Sequence, residues 1–295
     1  MYRIAYVNGR YQNYQQSLVH AEDRGYQFGD GIYEVVGVRQ GMMISRDEHL
    51  NRLQRSLAAL DINLPYGRAT LTRIMSEVMK RNHLQNGLLY MQVTRGVASR
   101  DHVPPPNILP SLVVMAKRMK FLSEAQIAKG ISVISQPDLR WGRCDIKTIG
   151  LLPNALAKQQ AVAAGAFEAW LVDEQGHVTE GSSTNAWIIT KDNILVTRPL
   201  DKQILAGVTR QRTSEFFTAM STQFGIRFEQ RPFTLDEAHK AREAFITSAS
   251  NLVVPVVKLN GKPIGDGRSG PTTLAIRHHY LEQIQREMAE HQGGL

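Results

Sequence analysis

Cysteine is nearly absent: one thiol, Cys144, stands among 295 residues. A single thiol excludes an internal disulfide framework and suits a reducing compartment. Although it lies close to Lys147 in sequence, the expectation is a small buried filler rather than a nucleophile. Long apolar runs are missing too, and no stretch approaches the roughly 20 residues that cross a bilayer. The opening MYRIAYVNGRYQ has neither the apolar core of a secretory signal nor the arginine-rich pattern of a transit peptide. No G-x-G-x-x-G fingerprint sits between a strand and a helix, and no Cys/His cluster has zinc spacing. Repeats and low-complexity tracts are also lacking. A metal site, a dinucleotide site and a membrane role are set aside, and a cytoplasmic location is expected.

What is present reads as a folded catalyst. The chain is 42% hydrophobic and 21% charged, the balance of a globular protein long enough for two domains. The net charge of +8 raises nucleic acid as a partner, but the basic residues are spread along the chain without a recognition motif. The charge is read as a basic surface that draws in anionic substrates.

The first half opens as a hairpin, Ile4–Val7 and Arg10–Tyr11, around the turn pair Asn8-Gly9. A glycine-rich turn, Gly25 to Gly31, feeds the apolar strand Ile32–Val38, and Gln40-Gly41 returns it into Met42–Ile44. Ser45 with Glu48 reads as a capping box for a helix whose stripe is Leu50, Leu53, Leu57 and Leu60. Arg52 and Arg55 fall off that stripe and are expected on a solvated face. A second helix covers 68–82, and strands cover Leu88–Thr94 and Ser111–Ala116. Between those strands, a loop carrying Arg100 and His102 is closed by Pro104, Pro105 and Pro106, which stiffen it and keep it out of a sheet interior.

The second half alternates. Strands are expected at Ile131–Ser135, Phe167–Val172, His177–Thr179, on both sides of Lys191-Asp192-Asn193, and at Phe228–Arg231, Ala244–Thr247 and Val253–Leu259. Helices are expected at Leu152–Ala164, Arg210–Phe224, Leu235–Lys240 and from Pro271 onward. The domain reading is 1–117 for a small N-terminal domain, 118–122 for a linker and 123–295 for a larger C-terminal domain.

Three stretches carry chemistry. Lys147 lies at a strand-to-helix junction. A lysine that forms a Schiff base must spend time as a neutral amine, so it needs desolvation or cationic neighbours. Ile146, Ile149, Leu151 and Leu152 offer the first, and Arg140 and Arg143 the second. Glu180, followed by small residues, is a candidate to hold a proton on the ring nitrogen of pyridoxal phosphate, which works as an electron sink only while that proton stays. Gly207-Val208-Thr209 opens a helix whose amides would point at a phosphate. An N-cap role for Thr209 and a solvated strand-end for Glu180 are the plainer readings, and both stay open here.

With these residues in place, the chain resembles the class IV aminotransferases, the fold-type IV pyridoxal phosphate enzymes. Their signature reads here as Glu180, Ser182, Asn185, Trp187, Thr197, Gly207, Val208 and Arg210, with Trp187 where Phe or Tyr is usual. The resemblance covers nearly the whole chain. It is nearest to the branch acting on D-amino acids, through EDRGYQFGDGIYEVV (Glu22–Val36), EHLNRL (Glu48–Leu53), QVTRGVASRDH (Gln92–His102), RWGRCDIK (Arg140–Lys147) and VTEGSS (Val178–Ser183).

The resemblance implies a two-domain α+β and α/β fold, with a small N-terminal α/β domain and a larger, mixed, barrel-like C-terminal domain. It implies Lys147 as the catalytic lysine and a cofactor site of Arg52, Lys147, Glu180, Val208, Thr209, Ser248 and Ala249. Ala249 stands where the family has Thr, so only backbone amides would serve there. Tyr33, Arg100 and His102 are implied as a trap for the substrate carboxylate, with His49 nearby and the Arg-x-His loop supplied by the neighbouring subunit of a homodimer. The implied reaction is ping-pong transfer of an amino group between D-amino acids, of the D-alanine and D-glutamate type, and 2-oxo acids such as 2-oxoglutarate and pyruvate. A branched-chain or (R)-amine transaminase and an aminodeoxychorismate lyase share the cofactor motifs but not the Arg-x-His loop. A cofactor-binding protein without activity is the remaining alternative, and the presence of Lys147 and Glu180 argues against it.

Overall fold

A computed structural model describes residues 3–293. The chain divides into two compact units, 1–121 with 146–151, and 122–145 with 152–295.

In the first unit, β1 (Ile4–Val7) and β2 (Arg10–Asn13) form the expected hairpin, with Asn8 and Gly9 at φ 44° and 93°. A short helix α1 (Arg24–Phe28) occupies part of the glycine-rich turn, where only a turn was expected. Asp23 caps it by accepting from the Gly25 amide, and Gly29 ends it in the left-handed region. Then follow β3 (Gly31–Arg39), β4 (Met42–Met43), α2 (Arg46–Ala59), α3 (Arg68–Arg81), β5 (Gly87–Thr94) and β6 (Ser111–Arg118). The sheet is antiparallel throughout, in the order β2-β1-β6-β5-β3-β4.

The core of this unit packs the α2 and α3 stripes, Leu50, Leu53, Leu57, Leu71, Ile74, Met75 and Val78, against Ile32, Val36, Val38, Leu89 and Met91. The capping box expected at Ser45 does not form. Ser45 has φ 52° and makes no side-chain cap bond, because a capping side chain reaches the first-turn amides from an extended backbone, not a left-handed one.

β4 pairs with β3 only at Val38 and Arg39, which leaves the other end of that edge open. Residues 147–149 take it. Tyr33 N donates to Lys147 O at 2.9 Å, Ile149 N donates to Gly31 O at 3.1 Å, and Ile32 bridges Thr148. Backbone pairing therefore places the segment 146–151, Lys147 included, in the first unit, while the chain before 146 and after 151 belongs to the second.

The second unit begins with α4 (Glu124–Lys129), a helix that was not expected. Its capping box, Ser123 with Gln126, was legible as S-x-x-Q. It continues with β7 (Ile131–Pro137), α5 (Leu152–Ala163), β8 (Glu168–Val172), β9 (Val178–Gly181), β10 (Asn185–Ile189), β11 (Ile194–Thr197), α6 (Val208–Phe224) and β12 (Arg227–Gln230). After these come α7 (Leu235–Lys240), β13 (Glu243–Ser248), β14 (Leu252–Leu259), β15 (Lys262–Pro263) and α8 (Pro271–Gly293).

The mixed sheet runs β12-β11-β10-β13-β14-β7-β8-β9, with β15 on β14. β9, at one end of that order, lies against β10 near the other, so the sheet curls back on itself as a barrel-like unit does. β10 is buried on both faces. Ala186 and Ile188 join Trp170 and Val178 in one core, and Trp187 and Ile189 join Phe217 and Phe245 in another. A strand covered on both sides reads as a continuous apolar run.

Candidate active site

In the first unit the chemistry gathers where β3 meets α2. Side chains alternate along a strand, so Glu34 shares the helix-facing side of β3 with Ile32 and Val36. It is fully buried, and α2 meets it with residues three apart, His49 and Arg52. Arg52 donates Nε to Glu34 Oε1 at 2.7 Å and Nη2 to Oε2 at 2.8 Å, while His49 Nδ1 lies 2.8 Å from Oε2. Burial alone would raise the Glu34 carboxyl, but Arg52 and His49 outweigh it and hold that group well below the usual carboxylate range. Arg52 is thus a buried, paired cation, not the solvated residue its place off the leucine stripe suggests.

One turn along α2, Ser56 Oγ accepts from Lys147 N at 3.3 Å. Lys147 Nζ lies 4.0 Å from the centroid of the Tyr33 ring, which stacks on Tyr90 at 5.6 Å. Among the described residues no carboxylate pairs with Nζ. Tyr33, rather than Leu152, covers the amine, for Leu152 is 70% exposed. The proposed cationic neighbours are also otherwise engaged: Arg143 pairs with Asp145, and Arg140 with Asp138 and Glu180.

Arg100 and His102 are exposed, and both contact Phe28, with the guanidinium 4.7 Å and the imidazole 5.7 Å from its ring. Their loop is anchored by buried Arg24, which donates to the carbonyls of Asp101 at 2.6 Å and His102 at 3.0 Å.

In the second unit Glu180 lies next to last in β9 as a buried carboxylate, not a solvated one. It accepts from Arg140 Nη1, from Asn185 Nδ2 at 2.8 Å, and from the Leu205 amide at 3.2 Å to each oxygen. The small residues after it have their own buried anchor, since Ser182 and Ser183 donate their hydroxyls to Glu168. Val208 and Thr209 are the first two residues of α6. Thr209 is therefore inside the helix rather than its N-cap, and the first-turn amides have no partner within the helix. Gly207 precedes them because a Cβ there would meet Asn185 Oδ1 at 2.0 Å.

Ser248 and Ala249 lie at the end of β13 and in the turn after it, half-buried. Ser248 Oγ is 3.2 Å from Ser250 Oγ and accepts from Asn251 N at 3.3 Å. Trp187, in the signature position, donates its indole N–H to Thr247 Oγ1 at 3.0 Å, a bond that Phe cannot make. Cys144 is buried, donates to the Trp141 carbonyl at 3.2 Å, and burial pushes its thiol up to about 11. It is the inert filler expected.

The structure thus brings Tyr33 to Lys147, and His49 to Arg52, in the first unit. In the second it brings Glu180 to Asn185. Sequence reasoning missed Glu34, Asp138 and Glu168. For Glu34 a signal existed: a charge in the middle of an apolar strand needs a buried partner.

Comparison with known proteins gives a consistent result. The family pattern "Amino-transferase class IV" matches residues 31–259. The chain is 38% identical over 283 residues to a D-alanine aminotransferase from Bacillus licheniformis, covering 96% of this chain and 98% of that one. It is 38% identical over 286 residues to a D-alanine aminotransferase from Listeria innocua, covering 96% and 97%. Among solved structures, a branched-chain amino acid aminotransferase of T.th. with pyridoxamine 5′-phosphate superposes with a TM-score of 0.84 at 26% identity, covering 96% and 94%.

Proposed function

Since this chain belongs to the class IV aminotransferases, we propose that it transfers amino groups between D-amino acids and 2-oxo acids with pyridoxal 5′-phosphate as cofactor. The observation that carries the proposal is Lys147: a half-buried amine packed on the Tyr33 ring, with no ion pair to a carboxylate among the described residues. The full-length likeness to D-alanine aminotransferases supports the D-amino acid choice.

The residues present fit the cofactor. Lys147 would hold it covalently, and buried Glu180 would hold a proton on its ring nitrogen. The first-turn amides of α6, at Val208 and Thr209, would take its phosphate, with the Ser248–Ala249 turn as a second source of donors. Arg52 would contribute a cation to the phosphate, in a plane set by Glu34. When bound, the cofactor supplies an electron sink for the bond broken at the substrate Cα. Once the substrate amine has displaced it, the Lys147 amine would act as base and then acid, taking the proton from the substrate Cα and giving it to the cofactor's C4′, which is general acid–base work by one amine.

Tyr33, with Arg100 and His102, would bind the substrate α-carboxylate, and His49 would stand near it. Arg100 and His102, both exposed in this chain, would serve the site of a neighbouring subunit in a homodimer. A carboxylate fixed on one side presents one Cα hydrogen to the base and so selects one enantiomer. The single thiol and the lack of a helix long and apolar enough to cross a membrane among the described residues support a cytoplasmic location.

The branched-chain reading draws on likeness to solved structures such as the T.th. enzyme, at 26% identity. An initial-rate panel of D- and L-amino acids with 2-oxoglutarate separates the two. Turnover of D-alanine and D-glutamate with little of L-leucine or L-valine is expected, and the reverse order would sink the proposal.

A further inference from the structure

Glu180 does not stand alone. Arg140, which donates Nη1 to it, is gripped along its other edge by Asp138, with Nε to Oδ1 at 2.9 Å and Nη2 to Oδ2 at 2.7 Å. The guanidinium is pinned further by the Gln203 carbonyl at 2.9 Å and Thr179 Oγ1 at 3.3 Å, and Thr179 donates its hydroxyl to Asp138 Oδ2 at 2.7 Å. The three side chains are only 11%, 7% and 7% exposed for Asp138, Arg140 and Glu180. Buried Arg210 and the neutral thiol of Cys144 also feel Glu180.

The row of charges alternates as anion, cation, anion. An arginine paired with Glu180 alone would cancel the negative charge that a protonated ring nitrogen needs. A second carboxylate behind the arginine restores one net negative charge to the cluster. Charge effects of this kind are strong where water is excluded.

We propose that Asp138 is a positioning residue for transamination: it holds Arg140 in plane and offsets its charge, so that Glu180 meets the cofactor ring as an effective anion. The proposal rests on the role given to Glu180 above. Asp138 itself touches neither cofactor nor substrate, and acts only through the arginine.

The test uses the whole enzyme and the cofactor's own ring nitrogen. Asp138→Asn keeps the shape and removes the charge. Its turnover should fall about tenfold, the scale of one pK unit of lost interaction, and the dissociation constant of pyridoxal phosphate from the apoenzyme should rise by a similar factor. Neither loss should appear in a Glu180→Gln background. The affinity loss should also vanish for the cofactor analogue with carbon in place of the ring nitrogen, and Asp138→Glu should recover most of the activity. Equal losses with cofactor and analogue, or in both Glu180 backgrounds, would mark Asp138 as merely structural and overturn the proposal, as would wild-type behaviour of Asp138→Asn. If that variant does not fold, Asp138→Ser, which also removes the charge but leaves Arg140 in place, run through the same cycle decides the matter by the same criteria. Full activity in Glu180→Gln alone would instead overturn the role of Glu180, a different failure from either of these.

Discussion

Glu34 and Arg52 face each other along two parallel hydrogen bonds of 2.7 and 2.8 Å, and neither is exposed to solvent beyond a few per cent. An acid in an apolar strand thereby fixes the plane of an arginine on the neighbouring helix, and His49 completes the cluster.

Glu34→Gln keeps the shape and removes the charge, leaving a buried guanidinium without its counter-ion. Breaking one side of a buried pair costs about 3–5 kcal/mol. The urea midpoint should fall accordingly with an unchanged slope, and a loss below about 1 kcal/mol would show the pair to be loosely held.

Acid should weaken the same cluster in two stages. Burial, with Arg52 and Lys147 adding to it and Glu34 opposing, pushes His49 below its usual 6.5. Burial would raise Glu34, but Arg52 and His49 outweigh it and hold the carboxyl below its usual 4.5. Both folded values lie below the unfolded ones, so the folded state binds fewer protons and stability drops as pH falls. The His49 part declines below 6.5, and the Glu34 part is full above 4.5 and is lost as pH falls through the lower, folded value. The stability gap between wild type and Glu34→Gln should therefore narrow below pH 4.5, and a gap that widens there would contradict the assignment.

Lys147→Ala should abolish turnover and leave no cofactor that borohydride can fix to the protein. Mass spectrometry of the reduced protein checks it. A fixed cofactor at another lysine would remove Lys147 from the reaction.

Arg100→Ala should raise KM for D-alanine and D-glutamate, blur the preference for the D-enantiomer, and leave cofactor binding intact. Loss of a charge-assisted hydrogen bond, worth about 1.5–3 kcal/mol, corresponds to roughly ten- to a hundredfold in kcat/KM. Mixing Arg100→Ala with Lys147→Ala subunits should restore activity if the loop serves the neighbouring subunit. No recovery despite demonstrated subunit exchange would place the loop in the site of its own chain.

Trp187→Phe removes the indole donor to Thr247 Oγ1, which is buried. An unpartnered buried hydroxyl costs about 1–3 kcal/mol. Thermal or urea unfolding measures it, and a neutral substitution would mean that water or a rotated hydroxyl makes up the bond.

Much of the frame was legible in the residues themselves. Asn8-Gly9 and Asn260-Gly261 adopt the positive φ that their turns need, because few other residues tolerate it. The leucine stripe of α2 is buried at positions 50, 53 and 57, as helical period demands. The capping box at Ser45 failed because its backbone is left-handed, a property set by how the chain enters α2 from β4 and not by the S-x-x-E spacing.

The motif residues were visible as residue types: an isolated lysine, a glutamate before small residues, and a glycine before a helix. Their charge partners were not. Arg52 lies 18 residues from Glu34, and Arg140 lies 40 from Glu180. Periodicity tells which side of an element is apolar, but not which polar group stands opposite it across a fold. Strand register and helix placement brought Glu34 under Arg52, and backbone pairing with the free edge of β3 drew Lys147 into the first unit. The sequence by itself determined which chemical groups the chain owns and which elements carry them; tertiary structure decided which charges are buried together, since burial makes an ion pair obligatory and only the packed fold creates burial.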